Sequence, residues 1–278
     1  MTINWKSVNR EMKTFRFSYN WKDVVLYALG IGAQADELPF VYEKVQGGLQ
    51  VFPGFASLAA GGLVLDFAKH LEGNRFLHGE QLIRLFHPLP PEGTIITQSR
   101  VKDVFDKGKA AVVVFQSKGY REDGTHLFDV DHTAFHIGGG GFGGEPGPKL
   151  ERFHPPENLE PDFRLTVSIP ENQAALYRLS GDLNPLHIDP AYAREGGFPE
   201  PILHGLCTYG YAARAIILGL CGGEVRLFKE FKARFSDVVY PGERLTTEAW
   251  KSEAGRYLIQ VRTDRAVVIS NAYALVGD

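Results

Sequence analysis

Cys207 and Cys221 are the only thiols in 278 residues. Two cysteines in one apolar stretch cannot build a disulfide framework or a four-cysteine zinc site, and both are expected to be reduced. Neither sign of charge is in large excess: 30 Lys and Arg stand against 33 Asp and Glu, a net charge of -3. No overall positive field exists to hold a polyanion, so no nucleic-acid partner is expected. No apolar run reaches the roughly 20 residues that cross a bilayer. The most apolar window, Leu203 to Leu220, is interrupted by His204 and Arg214 and reads as a buried helix. The first residues, MTINWKSVNREMK, contain no apolar core followed by a small-residue cleavage site. The chain is therefore expected to stay in the cytoplasm, with no membrane partner.

The remaining composition is that of a globular protein, 44% hydrophobic, 12% aromatic and 23% charged. At roughly 150 residues per domain, the length suggests two domains. Glycine and proline are densest between Ile137 and Pro156, IGGGGFGGEPGPKLERFHPP, too dense for a helix or a central strand. This segment divides the chain into residues 1–150 and 151–278. Gly139, Gly141 and Gly144 match G-x-G-x-x-G, but Pro146 and Pro148 follow where a dinucleotide site would open its helix, so no nucleotide site is expected.

The two parts resemble each other. LYALGIG at Leu26 aligns with LYRLSGD at Leu176, and LPPEGTIITQS at Leu89 with VYPGERLTTEA at Val239, both 150 residues apart. Two matches at one spacing indicate a duplication. Each copy has an N-terminal segment, one long apolar helix candidate (Gly54–His70 and Gly205–Leu220) and then strands. Alternation and β-branched content place these at Glu80–Phe86, Gly93–Phe105, Ala110–Tyr120 and His126–His136. In the second copy they fall at Arg226–Ser236, Arg244–Glu253, Tyr257–Asp264 and Ala266–Val276. Phe231, Ala233 and Phe235 share one strand face, with Lys232 and Arg234 on the other. One helix on an antiparallel sheet, made twice, is an α+β design.

Polar side chains are concentrated in Ser180-Gly-Asp182-Leu-Asn184-Pro-Leu-His187-Ile-Asp189-Pro190. Pro185 and Pro190 keep this backbone irregular, so Asp182 and His187 are free to converge. A carboxylate beside an imidazole handles protons near neutral pH. Asp-x-Asn-Pro is also ordinary turn chemistry, which leaves a purely structural role open. His187, Asp189 and His204 do not form a recognised ligand spacing, and no metal is expected. Pro201-Ile-Leu-His204-Gly205 precedes the second long helix, so the Gly205 N–H carries the positive end of a dipole and could bind an oxyanion.

SGDLNPLHIDPAYA (Ser180–Ala193) followed by PILHGLCTYGYAAR (Pro201–Arg214) resembles the hydratase 2 motif of the MaoC-like dehydratases. LYALGIGA, FVYE, LHGEQ, DKGKAAVV, GGFGGEPGP and FKEFKARF extend the resemblance to the hydratase domain of peroxisomal multifunctional enzymes of type 2, over nearly the whole chain. The resemblance implies a double hot-dog fold and reversible syn hydration of trans-2-enoyl-CoA to (R)-3-hydroxyacyl-CoA, with no cofactor beyond the CoA of the substrate. It places Asp182, Asn184 and His187 on catalytic positions and Gly205 on the oxyanion donor. Glu43 falls on an acidic position with a supporting role, and Lys229, Lys232 and Arg234 are candidates for the CoA phosphates. At the 150-residue spacing, Gly32, Gln34 and Glu37 replace the three catalytic residues, so one site per chain is expected. The first copy, with small residues from Ala59 to Gly62, would then hold the acyl tail. No dehydrogenase segment is expected ahead of residue 1, and the sequence reads Val-Gly-Asp at its end rather than Ser-Lys-Leu. A stand-alone enzyme acting as a homodimer is expected. Acyl-CoA thioesterase and a silent acyl-CoA-binding module stay open as alternatives.

Overall fold

A computed structural model describes Trp5 and residues 8–68, 76–149 and 151–277. The first half runs β1 (Lys13–Tyr19), α1 (Trp21–Gly30), α2 (Leu38–Val41), α3 (Ala56–Ala60), α4 (Gly62–Ala68), β2 (Phe76–Leu85), β3 (Gly93–Asp106), β4 (Ala110–Arg121) and β5 (His126–Ile137). The second runs β6 (Phe163–Ser168), α5 (Gln173–Tyr177), α6 (Pro190–Glu195), α7 (Gly205–Leu220), β7 (Phe228–Phe235), β8 (Arg244–Glu253), β9 (Arg256–Arg262) and β10 (Val267–Val276). Among the described residues no helix is long and apolar enough to cross a membrane.

The ten strands form one antiparallel sheet in the order β1-β3-β4-β5-β2-β7-β10-β9-β8-β6. Counted from its own start, each half has the order first, third, fourth, fifth, second. The halves meet edge to edge at β2 and β7, so neither inner edge is left unpaired. In that seam Glu80 faces Arg234, Leu82 faces Lys232 and Arg84 faces Glu230. Residues 80 and 230, and 84 and 234, are counterparts at the 150-residue spacing, so the pairing is self-complementary about Leu82 and Lys232, as across a two-fold axis. The Arg84 guanidinium donates to buried Glu230 at 2.6 Å, and the Tyr273 hydroxyl donates to the same carboxylate.

Helix α7 spans the expected residues. It is apolar on nearly every side and therefore buried on nearly every side, from Cys207 to Ile217. Its Tyr209 stacks on Phe231 of β7 and donates its hydroxyl hydrogen to the Phe231 carbonyl at 2.8 Å. On the opposite flank the first half presses close: a Cβ on Gly210 would come within 2.3 Å of Ile31. Arg214 of α7 makes a bidentate pair with Glu37, both largely buried. Breaking such a pair would strand a charge in the interior, so it ties α7 to the first half as well as to its own sheet.

The first half's helix is not continuous. It ends at Ala60 and resumes at Gly62, and Lys69 and His70 of the expected span lie outside the described residues. The two edge strands, β1 and β6, were not anticipated as strands. The Gly-rich connection follows β5 and folds around Asp106, whose carboxylate accepts N–H groups from Gly108, Gly141 and Gly143 at 2.7–2.8 Å. Those bonds hold the Asp106 carboxyl below its usual range.

Candidate active site

Gly181 turns the chain at φ +124, a conformation that other residues rarely adopt, and directs residues 182–187 back toward the start of α7. Asp182 Oδ1 accepts the Asn184 N–H at 3.1 Å, and Asn184 Oδ1 accepts the Leu186 N–H at 3.1 Å, capping a 3-10 turn over Pro185–His187. The turn chemistry anticipated as an alternative is therefore present. It uses one oxygen of each side chain and leaves Asp182 Oδ2 and Asn184 Nδ2 without a protein partner among the described residues. Asp189 belongs to a different task, accepting the Ala191 and Tyr192 N–H groups at the start of α6.

His187 is 8% exposed. Its Nδ1 lies 2.8 Å from the Ile202 carbonyl, which can only accept, so Nδ1 carries the hydrogen and the lone pair is on Nε2. Burial lowers its pKa below that of an ordinary imidazole, and the Ile202 carbonyl and the Asp182 charge oppose that shift only in part. The ring is thus neutral near pH 7 and able to accept a proton.

Behind His187 stands His204, its ring stacked at 3.7 Å and 28° and its Nε2 donating to the Asp182 carbonyl at 3.2 Å. Donor atoms of Asp182, His187 and His204 lie within 4.8 Å of one another. The two imidazoles are stacked, and each already has one ring nitrogen on a main-chain carbonyl, His187 Nδ1 on Ile202 and His204 Nε2 on Asp182. Asp182, not Asp189, is the carboxylate of this cluster.

Gly205 is the first residue of α7, with an N–H that no helical carbonyl can accept. The nearest atoms to a Cβ there would be those of the Phe235 ring, at an ordinary 3.6 Å. Phe235 in turn packs on His78 of β2 at 4.6 Å, and His78 stacks on His132 of β5 at 3.6 Å. Withdrawal from water takes His78 down to about 4, opposed by the Glu80 carbonyl, by Gln81 and by the Asp182 charge. The first half therefore supplies one wall of the site. His204, Phe235 and His78 had no assigned role in the sequence reading; the His-Gly pair opening α7 was the one available signal.

The other anticipated residues lie apart. Glu43 is exposed after α2, with no hydrogen bond or ion pair among the described residues. Lys232 and Arg234 are on the sheet face opposite Phe231 and α7, where Lys232 approaches Glu80 at 3.8 Å and the Phe153 ring at 5.6 Å. Lys229 reaches back to the Arg226 carbonyl at 3.1 Å. No described contact joins these three to Asp182 or His187. The first half's counterpart of the site is filled: a Cβ at Gly32 would lie 2.3 Å from the Tyr211 ring, one at Gly54 would lie 2.2 Å from the Tyr27 hydroxyl, and Glu37 is held by Arg214.

Comparison with known proteins matches the chain in two stretches. Residues 17–138 match the MFE-2 hydratase 2 N-terminal domain and residues 152–272 match the MaoC like domain. The chain is 37% identical to the "Probable enoyl-CoA hydratase 2" of Dictyostelium discoideum over 99% of its own length and 97% of that protein. Among solved structures, a MaoC-like dehydratase from Phytophthora capsici superposes with a TM-score of 0.89 at 31% identity, covering 99% of this chain and 98% of that one. A Mycobacterium tuberculosis protein described as having a double hotdog fold superposes at 0.59 with 12% identity, over 97% of this chain and 96% of that one, and shares the fold alone.

Proposed function

The chain belongs to the MaoC-like hydratase 2 family, and we propose from that premise that it hydrates trans-2-enoyl-CoA reversibly to (R)-3-hydroxyacyl-CoA at Asp182, His187 and Gly205. The supporting observation is the free Nε2 of His187, left as a lone pair by the Nδ1 bond to Ile202 and set close to the Asp182 carboxylate. Family membership at 37% identity over nearly the full length supports the reaction class.

In the forward direction a water sits between Asp182 and His187. Asp182 Oδ2 accepts one of its hydrogens and orients the oxygen toward the β-carbon. As the oxygen–carbon bond forms, the other water proton passes to His187 Nε2, and the C=C electron pair moves toward the thioester carbonyl. The Gly205 N–H donates to the resulting enolate oxygen, as an oxyanion donor does. His187 then returns its proton to the α-carbon on the same face, so water has added syn and the imidazole is again neutral. The Asn184 Nδ2 group is placed to hold the water or the Asp182 carboxylate. The Ala59–Gly62 region of the first half takes the acyl tail, a placement supported by the helix break at Gly61 and by the wall that His78 and Phe235 make beside Gly205.

Asp182→Asn and His187→Ala test the assignment. Each should lower hydratase turnover by about 10³-fold or more, a loss typical of removing a positioned acid–base group, while binding of a CoA thioester persists. Full activity in both variants would remove the catalytic assignment.

A further inference from the structure

One side chain outside the catalytic assignment contacts both Asp182 and His187 and directly precedes Gly205. His204 is 1% exposed. Its Nε2–H holds the main-chain carbonyl of Asp182, its ring lies flat on His187, and its backbone is the N-cap of α7, next to Gly205. Tyr177 packs on its ring at 5.0 Å. We propose that His204 is a positioning residue that locks the Asp182 carboxylate, the His187 ring and the Gly205 N–H into one arrangement; the proposal rests on the catalytic reading of Asp182 and His187.

The argument turns on what an imidazole supplies there that another ring would not. His204 Nδ1 is buried with no hydrogen-bond partner. A stranded polar atom is unfavourable, and a phenyl ring would stack on His187 with no buried ring nitrogen to strand. The imidazole's advantage is the N–H it gives to the Asp182 carbonyl. That bond fixes the backbone just after the Gly181 turn, where nothing else is packed within 4 Å of the glycine's open face. The stack covers one face of His187, so the imidazole cannot rotate off the Ile202 carbonyl without displacing His204. The stack requires His204 to be neutral, since a positive charge would repel a protonated His187. Burial and His187 itself hold it down to about 4, against the Asp182 charge and carbonyl. Among the described residues, Arg178 and Tyr177 on the preceding turn face His204, Cys207 of α7 lies against Tyr177, and His78 of β2 faces Asp182.

Two substitutions separate the two functions. His204→Gln keeps an N–H for the Asp182 carbonyl but removes the stacked ring. Its acid limb of kcat/KM should move up toward that of an ordinary imidazole as water reaches His187. His204→Phe keeps the ring and removes the N–H. Its acid limb should stay in place while kcat falls by about tenfold or more at nearly unchanged KM, the signature of a misplaced reacting group. Circular dichroism and melting temperature establish that both variants are folded. Wild-type kcat and pH profiles in both variants would overturn the proposal, as would equal losses with an unmoved acid limb and a lowered melting temperature, which indicate support of the fold alone. If Asp182→Asn and His187→Ala were themselves fully active, the catalytic reading beneath the proposal would be the part that failed.

Discussion

His187 can take a proton only while neutral, and its surroundings decide the pH range in which it is. Loss of solvent lowers its pKa, and the Ile202 carbonyl and Asp182 charge recover only part of the shift. With His187 as the proposed base, protonation as pH falls through that lowered value removes it, so the acid limb of kcat/KM should lie below about 6.5, the ordinary imidazole value. A pH profile of the wild-type enzyme measures this directly, and an acid limb at or above 6.5 would mean that another group titrates. At this scale the motif pointed to Asp182, Asn184, His187 and Gly205 because they are close together in sequence and chemically distinctive, and the fold brings Asp182 and His187 close to one another. His204 was visible as a neighbour of Gly205 and as a ligand candidate without a recognised spacing, not as a support for His187. Its stack on His187 depends on residues 182–187 folding back on 202–204, and spacing along the chain does not carry that distance.

Helix α7 was readable from its apolar run, and its first turn offers a clean test of the oxyanion donor. Gly205 is the first helical residue, where proline fits well, and His204 already has the extended ψ of 135 that a residue before proline prefers. Gly205→Pro should therefore fold and yet remove the N–H, lowering kcat/KM by about 10²–10³. Gly205→Ala, which keeps the N–H and finds Phe235 at 3.6 Å, should retain most activity. Near wild-type turnover in the proline variant would dismiss this donor. The first half's helix was legible as apolar but not as broken, because Gly61 and Gly62 suit close packing as well as a break. Their surroundings now distinguish them: a Cβ on Gly62 would lie 2.9 Å from Phe15, whereas one on Gly61 meets only carbonyl oxygens of its own helix at 3.4 Å or more, with Leu65 beyond. Gly61→Leu should depress kcat/KM on long enoyl chains more than on crotonyl-CoA, and equal effects would contradict a tail site there. The edge strands β1 and β6 were harder to read because all their residues but Tyr19 are half-buried or exposed, a weak signal beside the central strands.

Across the whole molecule, duplication was legible from matches 150 residues apart, but the way the copies join was not. Glu80 and Arg84 of β2 meet Arg234 and Glu230 of β7, a self-complementary seam that makes ten strands one sheet. That seam sets β2 beside β7, so His78 of the first half packs on Phe235 of the second next to Gly205. The halves have diverged in what they keep. Tyr211, Tyr27 and the Glu37–Arg214 pair fill the first copy's equivalent of the site, whereas the second copy presents a carboxylate, a neutral imidazole and a helix N–H together. One catalytic centre per chain, shaped by both copies, is the central claim. Incubation with trans-2-octenoyl-CoA tests it most directly, following loss of the enoyl-thioester absorbance while the product is resolved by chirality and assayed for free thiol. The account predicts (R)-3-hydroxyoctanoyl-CoA with no CoA released; the (S) product, release of free CoA, or no reaction would contradict it.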